Sequence, residues 1–372
     1  MMKSSMLSLS GAILSCLLLT SSSMGNATED IDPLLFIQHQ VQDRSSFVSS
    51  LKERSEAGDS DAMYQYSVLC LAGGIKGEAE AGLGLLEESA SKGQGAAQTL
   101  LGQMLLMGEG LEQDAINGVE WLKKAKEQDV GEAYAYLGLH RLMTAEDGSD
   151  EEIAVALIGQ AVEADAVPGL LVYGKMLSEG RLVEKDLTAS FQMFQRAAAG
   201  GHSEGMLSCA LMTREGIGVK TNQEVSTRYY LAAASVGNLE AMAKVGDMYL
   251  HGDGVAEDSD KASLWLIRCA ERGHTTSQFN LARLTTLKAK SSPRTEKNIA
   301  NMFAMALFSL TADSGLKEGQ AVFTSWQKSA SEEQIKGVQE AKQVFISRVE
   351  AKKAEARRLM FLRLAMQVLE EL

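Results

Sequence analysis

Proline is almost missing from this chain, with three in 372 residues. Proline removes a backbone donor and breaks helices, so its scarcity permits long helical runs and excludes a proline-rich linker. Cysteine is nearly as scarce, with four. One, Cys16, lies in an apolar N-terminal stretch, which leaves Cys70, Cys209 and Cys269. Three cysteines cannot all pair internally, and so few exclude a disulfide-stapled scaffold. Small buried thiols are the expected reading. Aromatics make up only 6% of a chain that is 45% apolar. Its core is therefore built from alanine, leucine, methionine and valine. The five histidines form neither a His-Glu-x-x-His motif nor a close cluster with cysteine, so no metal is expected. A basic surplus is absent too. The formal charge of −13 leaves no electrostatic footprint for a nucleic-acid partner.

Long apolar runs are confined to the start. Lys3 is the only charge before Glu29, residues 6–20 are mostly apolar, and "SSSMGNA" follows. That run is too short for an ordinary membrane span and reads as a signal peptide, residues 1–27, cleaved after Ala27, with cleavage after Gly25 as the second choice. Apolar residues continue past Cys16, which argues against a lipoprotein signal. No later run approaches 18 residues, so no transmembrane segment is expected.

What fills the rest is a repeat. Small residues recur at Ala62, Ala97, Ala133, Gly169, Gly205, Ala241 and Ser277, with steps of 35 and then 36 residues five times. Five positions after each of these anchors lies Gly102, Gly138, Gly174, Ala210 or Gly246. A glycine inside a helix costs about 1 kcal/mol relative to alanine, so its recurrence points to close approach of a second helix. Eleven positions after the anchor come Gly73, Gly108, Gly180, Gly216 and Gly252, suited to left-handed C-caps. Seventeen positions after it come Asp114, Asp150, Asp186, Asn222 and Asp258, suited to N-caps. A bulky residue then falls at position 24 (Trp121, Leu157, Met193, Tyr229, Trp265) and a small one at position 28 (Ala125, Ala161, Ala197, Ala233, Cys269), as knob and hole. Each unit is thus helix, tight turn, helix. Such units bury their apolar faces only by stacking.

The expected fold class is all-α, an α-solenoid of about seven 36-residue helix-turn-helix repeats over 62–318 with capping helices at both ends. An N-terminal half-repeat is expected over 28–61, with Asp32 as N-cap and Pro33 at the first helical position. Capping helices are expected over 319–372, opened by a Ser331/Gln334 capping box. Two units are imperfect. The one from Ala133 has Thr144 in place of the glycine, and the one from Ser277 carries about six extra residues, expected in a longer loop.

The unit from Ala97 to Ala125, "AQTLLGQMLLMGEGLEQDAINGVEWLKKA", resembles the Sel-one-like repeat, a relative of the tetratricopeptide repeat. The resemblance implies a right-handed superhelix and scaffold or adaptor work, often at the bacterial envelope. With the signal peptide, it implies a periplasmic or secreted protein of a Gram-negative bacterium. The second reading is a secreted factor engaging a host protein. Some members of the family are cysteine-rich and have been linked to β-lactam chemistry, so a β-lactam-binding or β-lactamase-like enzyme is the remaining alternative that the resemblance implies. "SASK" (residues 89–92) and "SWQK" (residues 325–328) match Ser-x-x-Lys, but the partner motifs Ser-Asp-Asn and Lys-Thr-Gly are absent. No enzymatic role and no cofactor are expected. "HGDGVAED" (residues 251–258) lacks the alternating ligands of a calcium loop.

A protein or peptide partner is expected on the concave face, which the family analogy builds from the first helix of each unit at positions 2, 6, 9 and 10. The candidate residues are Leu106, Met107, Leu139, Leu142 and Met143, continuing to Leu207, Leu211 and Arg214. The alternative is that these side chains pack under neighbouring helices. A second candidate is basic. Between Lys336 and Arg363 stand eight Lys or Arg and three Glu, and "RRLMFLRLAMQVLEEL" from residue 357 adds Leu359, Leu362, Met366 and Leu369 at helical spacing. That segment is read as a capping helix, with self-association, docking or contact with anionic lipid as the sharper alternatives.

Overall fold

The 36-residue period folds as pairs of helices. The computed structural model describes Gln42 and residues 44 to 356, apart from 74, 76, 77, 291 and 292. The signal-peptide stretch, the Asp32–Pro33 helix start and residues 357–372 lie outside the described residues. Among those described, every regular element is an α-helix. The fold is an all-α solenoid.

Two bodies are distinguished, 44–221 and 222–356. The first holds ten helices: α1 (Ser45–Glu56), α2 (Ser60–Leu71), α3 (Ala79–Ser91), α4 (Gly95–Met107), α5 (Ala115–Lys126), α6 (Gly131–Thr144), α7 (Gly148–Glu163), α8 (Val167–Glu179), α9 (Leu187–Ala199) and α10 (Ser203–Glu215). The second holds seven: α11 (Gln223–Ser235), α12 (Leu239–His251), α13 (Ser259–Glu271), α14 (Thr275–Ala289), α15 (Arg294–Asp313), α16 (Lys317–Gln327) and α17 (Glu332–Ala356).

Within a pair, the glycine at position 5 is a hole. A Cβ on Gly102 would lie 2.7 Å from Leu122 Cγ and 2.9 Å from the Gly118 carbonyl oxygen. One on Gly138 would lie 2.8 Å from Ile158 Cγ1, and one on Gly246 3.0 Å from Leu266. The knobs are therefore at position 25, one residue beyond the expected place. Leu122, Ile158, Tyr230 and Leu266 are buried, as is Phe194 beside Gly174. The position-24 residues Trp121, Leu157, Met193, Tyr229 and Trp265 are half-buried. One residue along a helix turns the side chain by about 100°, which separates facing the partner helix from facing its flank. Trp121 instead carries Lys124 over its ring at 3.9 Å, and Trp265 carries Arg268 at 5.1 Å. The small residues of position 28 are all fully buried. Each fully buried Leu or Ile contributes about 2 kcal/mol of apolar burial.

The turns follow the sequence in most repeats. Gly108, Gly180, Gly216 and Gly252 end their helices in the left-handed conformation, with φ from 68 to 73°. Asp114, Asp186, Asn222 and Asp258 cap the next helix through side-chain oxygens. Other caps were not read from the sequence. Asp59, Gln94, Asn238 and His274, three residues before the anchor, cap the first helices. Burial pulls the His274 pKa below its usual value, and Nδ1 accepts from the Ser277 N–H at 3.2 Å.

The two imperfect repeats depart differently. In the repeat from Ala133, helix α6 runs through Thr144 and only residues 145–147 join it to α7. Asp147, not Asp150, is the N-cap. Asp150 instead pairs with Arg141 at 3.0 Å across the short turn. In the repeat from Ser277 the extra residues lengthen the helices to 15 and 20 residues, where a longer loop was expected.

Helix α17 closes the second body. Val338, Ala341, Phe345 and Val349 enter its core. Its cations turn to the body's acids: Lys342 pairs with Asp313, and Arg348 with Glu271 at 3.3 Å. The described part of the basic segment is a docked capping helix.

Candidate protein-binding face

Positions 6 and 10 of a first helix lie four residues apart and share a face. In the body 44–221 that face runs Gln103 and Met107 on α4, Leu139 and Met143 on α6, Lys175 and Glu179 on α8, and Leu211 and Glu215 on α10. Gln103 Nε2 lies 3.9 Å from Met107 Sδ, and Lys175 pairs with Glu179 at 3.9 Å. Met107 is 50% exposed, Met143 85% and Leu211 40%. Over two repeats the stripe holds Met107, Leu139 and Met143 with Gln103 as its polar member, then becomes an ion pair in the next repeat, and then mixes the two characters.

The other candidate residues sit deeper. Leu106 and Leu142 at position 9 are half-buried. A Cβ added to Gly118 would lie 3.1 Å from Leu106 Cγ, so Leu106 also packs on its own second helix. Leu207 is 8% exposed and belongs to the core, as do Thr99 and Ala135 at the same position 2. These residues support the face from beneath. Early in a first helix the side chain is wedged between neighbouring helices, whereas position 10 clears them, and position 6 is half-buried in Gln103 and Leu139 but exposed in Lys175 and Leu211. Arg214 is half-buried, 3.9 Å from Glu215.

One exposed residue escaped the sequence reading. Ile116, at the start of α5 and 80% exposed, stands at the same end of its repeat as Met107. Other repeats place Glu152, Thr188, Glu224 and Asp260 at its position, so an isoleucine among polar residues was the available signal. The rim is acidic, with Glu109, Glu112, Glu146 and Asp147 exposed in the two turns. Burial, with Glu132 and Glu109 nearby, pushes the Tyr136 hydroxyl pKa upward, so it stays protonated.

Other chemistry-bearing groups have structural surroundings. Ser89 of "SASK" is buried and donates to the Ser60 carbonyl at 2.7 Å, while Lys92 reaches the Gly58 carbonyl. Cys70, Cys209 and Cys269 are buried, and none of them is in a disulfide. Burial first, then the Glu78 carboxylate, pushes the Cys70 pKa up to about 12, so its thiol stays protonated. Among the described residues no group of three His, Cys, Asp or Glu could hold a metal ion. None of the described helices is long and apolar enough to cross a membrane.

Repeated helix pairs with a glycine hole and a left-handed turn define an all-α repeat protein with an open first-helix face. The Sel1 repeat family model matches residues 60–94, 95–130, 168–202, 203–238 and 239–274, and the chain belongs to the Sel1-repeat family. That model passes over the two imperfect repeats, although both fold as helix pairs. Among solved structures, the chain is similar to c5321, "a protective antigen present in uropathogenic Escherichia coli strains displaying an SLR fold". The identity is 21%, over 82% of this chain and 72% of that one, with a TM-score of 0.50. It is also similar to a Sel1 repeat protein from Oxalobacter formigenes, at 23% identity over 71% of this chain and 96% of that one, with a TM-score of 0.49. None of the curated proteins matches it. Sel1 repeat proteins generally mediate protein–protein interactions and are typically non-catalytic scaffolds.

Proposed function

We propose that this protein is a non-enzymatic interaction scaffold of the bacterial envelope, exported by its N-terminal segment, that receives a protein segment on the first-helix face of repeats 95–130 and 131–167. One observation carries the reading. Two methionines at equivalent positions of neighbouring repeats, Met107 and Met143, are exposed, at 50% and 85%. Methionine is flexible and polarizable, which suits an adaptable contact surface. Leu139 and half-buried Leu106 and Leu142 extend the patch, and Leu211 and Arg214 continue it two repeats on. Export is supported by Lys3, the apolar run and the small residues before Thr28.

Photo-crosslinking tests this. A photoreactive residue is placed at position 143 or, as control, at exposed Gln195 on a second helix. Discrete protein adducts in the envelope fraction from position 143 and not from 195 support the proposal. Equal labelling from both positions, or none from 143, sinks it. N-terminal sequencing of the mature chain checks export separately.

A further inference from the structure

We infer that the segment received on the Met107–Met143 face is cationic: an amphipathic stretch of another protein, with Lys or Arg flanking its apolar residues. The inference rests on the reading of that face as a segment-binding site and names the chemistry of its partner.

The apolar residues of the face stand inside an acidic frame. Residues 107–116 and 143–152 close the two first helices and open the two second helices. They hold eight Asp or Glu and no Lys, Arg or His. Three of the eight are used locally. Asp114 and Asp147 cap their helices, and Asp150 pairs with Arg141 at 3.0 Å. Glu109, Glu112, Glu146 and Glu152 are exposed and form no ion pair among the described residues. Glu109 also acts across the join between the repeats. After burial and Glu132, it helps to push the Tyr136 pKa upward, and Tyr136 packs with Leu106 in one apolar cluster.

The same stretch of a later repeat is acidic too, but its charges are answered from within. Residues 251–260 hold four Asp or Glu. Asp253, Asp258 and Asp260 have Lys244, Lys261 and Lys288 beside them at 3.8, 3.5 and 2.6 Å. Residues 179–188 and 215–224 carry Arg181, Lys185 and Lys220 of their own. The chain thus supplies cations at this place in the later repeats and omits them around Met107, Ile116 and Met143. Carboxylates gathered without cations repel one another, and a basic partner replaces that repulsion with attraction. Charge also selects between occupants. The frame repels an anionic lipid headgroup, and a second copy of this chain, at −13, is mostly of the same sign. A basic amphipathic segment suits both the methionines and the acids around them.

The test uses the full chain with the photoreactive residue at position 143 or, as control, at 195. Two probes are offered: an amphipathic helical peptide of Leu and Lys, and the same peptide with Glu in place of Lys. The expected result is labelling of the Lys peptide from 143, with little of the Glu peptide from 143 and little of either from 195. Glu109→Gln, Glu112→Gln, Glu146→Gln and Glu152→Gln together should cut that labelling about tenfold at low ionic strength, with circular dichroism confirming that the helices persist. The same four substitutions should weaken the adducts that position 143 forms in the envelope fraction. Equal labelling of the two peptides from 143 would overturn the inference, as would equal labelling of the Lys peptide from 143 and 195. Envelope adducts at dimer mass, or to lipid alone, would name a different occupant and overturn it. Protein adducts undiminished by the four substitutions would overturn it and leave the scaffold reading standing. No envelope adduct from 143 would remove both.

Discussion

Repeat 95–130 and repeat 131–167 use nearly the same length of chain to make two different turns. The first ends α4 at Gly108 and spends residues 108–114 before α5. The second carries α6 to Thr144, crosses in three residues and gives the remainder to a 16-residue α7. Their buried halves nevertheless match: Gly102 receives Leu122, and Gly138 receives Ile158. The core of this solenoid is therefore set by the glycine–knob pair, and the turn is free to vary. The left-handed position after the second helix is one both repeats share: it is Asp129 in one and Asp165 in the other, where Gly58, Gly93, Gly201, Gly237, Gly273 and Gly315 stand elsewhere.

Filling the holes should show the likeness. Gly102→Val and Gly138→Val each place side-chain atoms where a Cβ already meets neighbours below 3.0 Å. Each should cost about 2–3 kcal/mol in urea unfolding. A large loss in one repeat and none in the other would break the claim of a common core. Changing the turns should show the difference. Gly108→Ala forces a Cβ into φ +70° and should cost about 1–2 kcal/mol. Thr144→Gly has no such position to fill and should cost up to about 1 kcal/mol, as glycine does in a helix. Stabilisation by Thr144→Gly would mean that the short turn is strained.

A smaller effect comes from Asp129. It sits at φ +57°, and its carboxylate accepts from the Tyr134 hydroxyl at 2.7 Å. Asp129→Gly should raise the melting temperature by the equivalent of up to about 1 kcal/mol. A fall instead would show that the Tyr134 bond outweighs the backbone strain. The smallest effect is acidic. The Asn117 backbone N–H, then its side-chain amide, hold the Asp114 pKa below the usual carboxylate value. Folding thus favours the ionised form. The stability it contributes is present above the unfolded pKa near 3.8 and is lost as pH falls through the lowered one. Asp114→Asn should flatten that acid limb of the melting curve. An unchanged limb would mean that the cap contributes no pH dependence.

What could be read beforehand was whatever rests on one residue in its own position. The 36-residue register, the glycine holes and the caps Asp114, Asp186, Asn222 and Asp258 are of that kind. What could not be read depends on how a segment's length is shared between helix and turn. Asp150 occupies the cap position by count, but the shorter turn moves the cap to Asp147. The extra residues near Ser277 lengthened two helices, because nothing local distinguishes a longer loop from a longer helix there. In the candidate site, the period assigned residues to one face but not to one depth. Leu207 and Met107 were read alike, yet one is core and the other half-exposed.

The glycine–knob pair has a consequence for how the chain reaches its fold. Its members, such as Gly102 and Leu122, stand only twenty positions apart, and the next contacts lie one repeat further on. Bringing such neighbours together costs little loop entropy, and chains dominated by short-range contacts fold quickly. Each hairpin can form as soon as its own residues are available and then serve as the template for the next. Unfolding should run the same route backwards, fraying from an outermost repeat rather than melting from the middle.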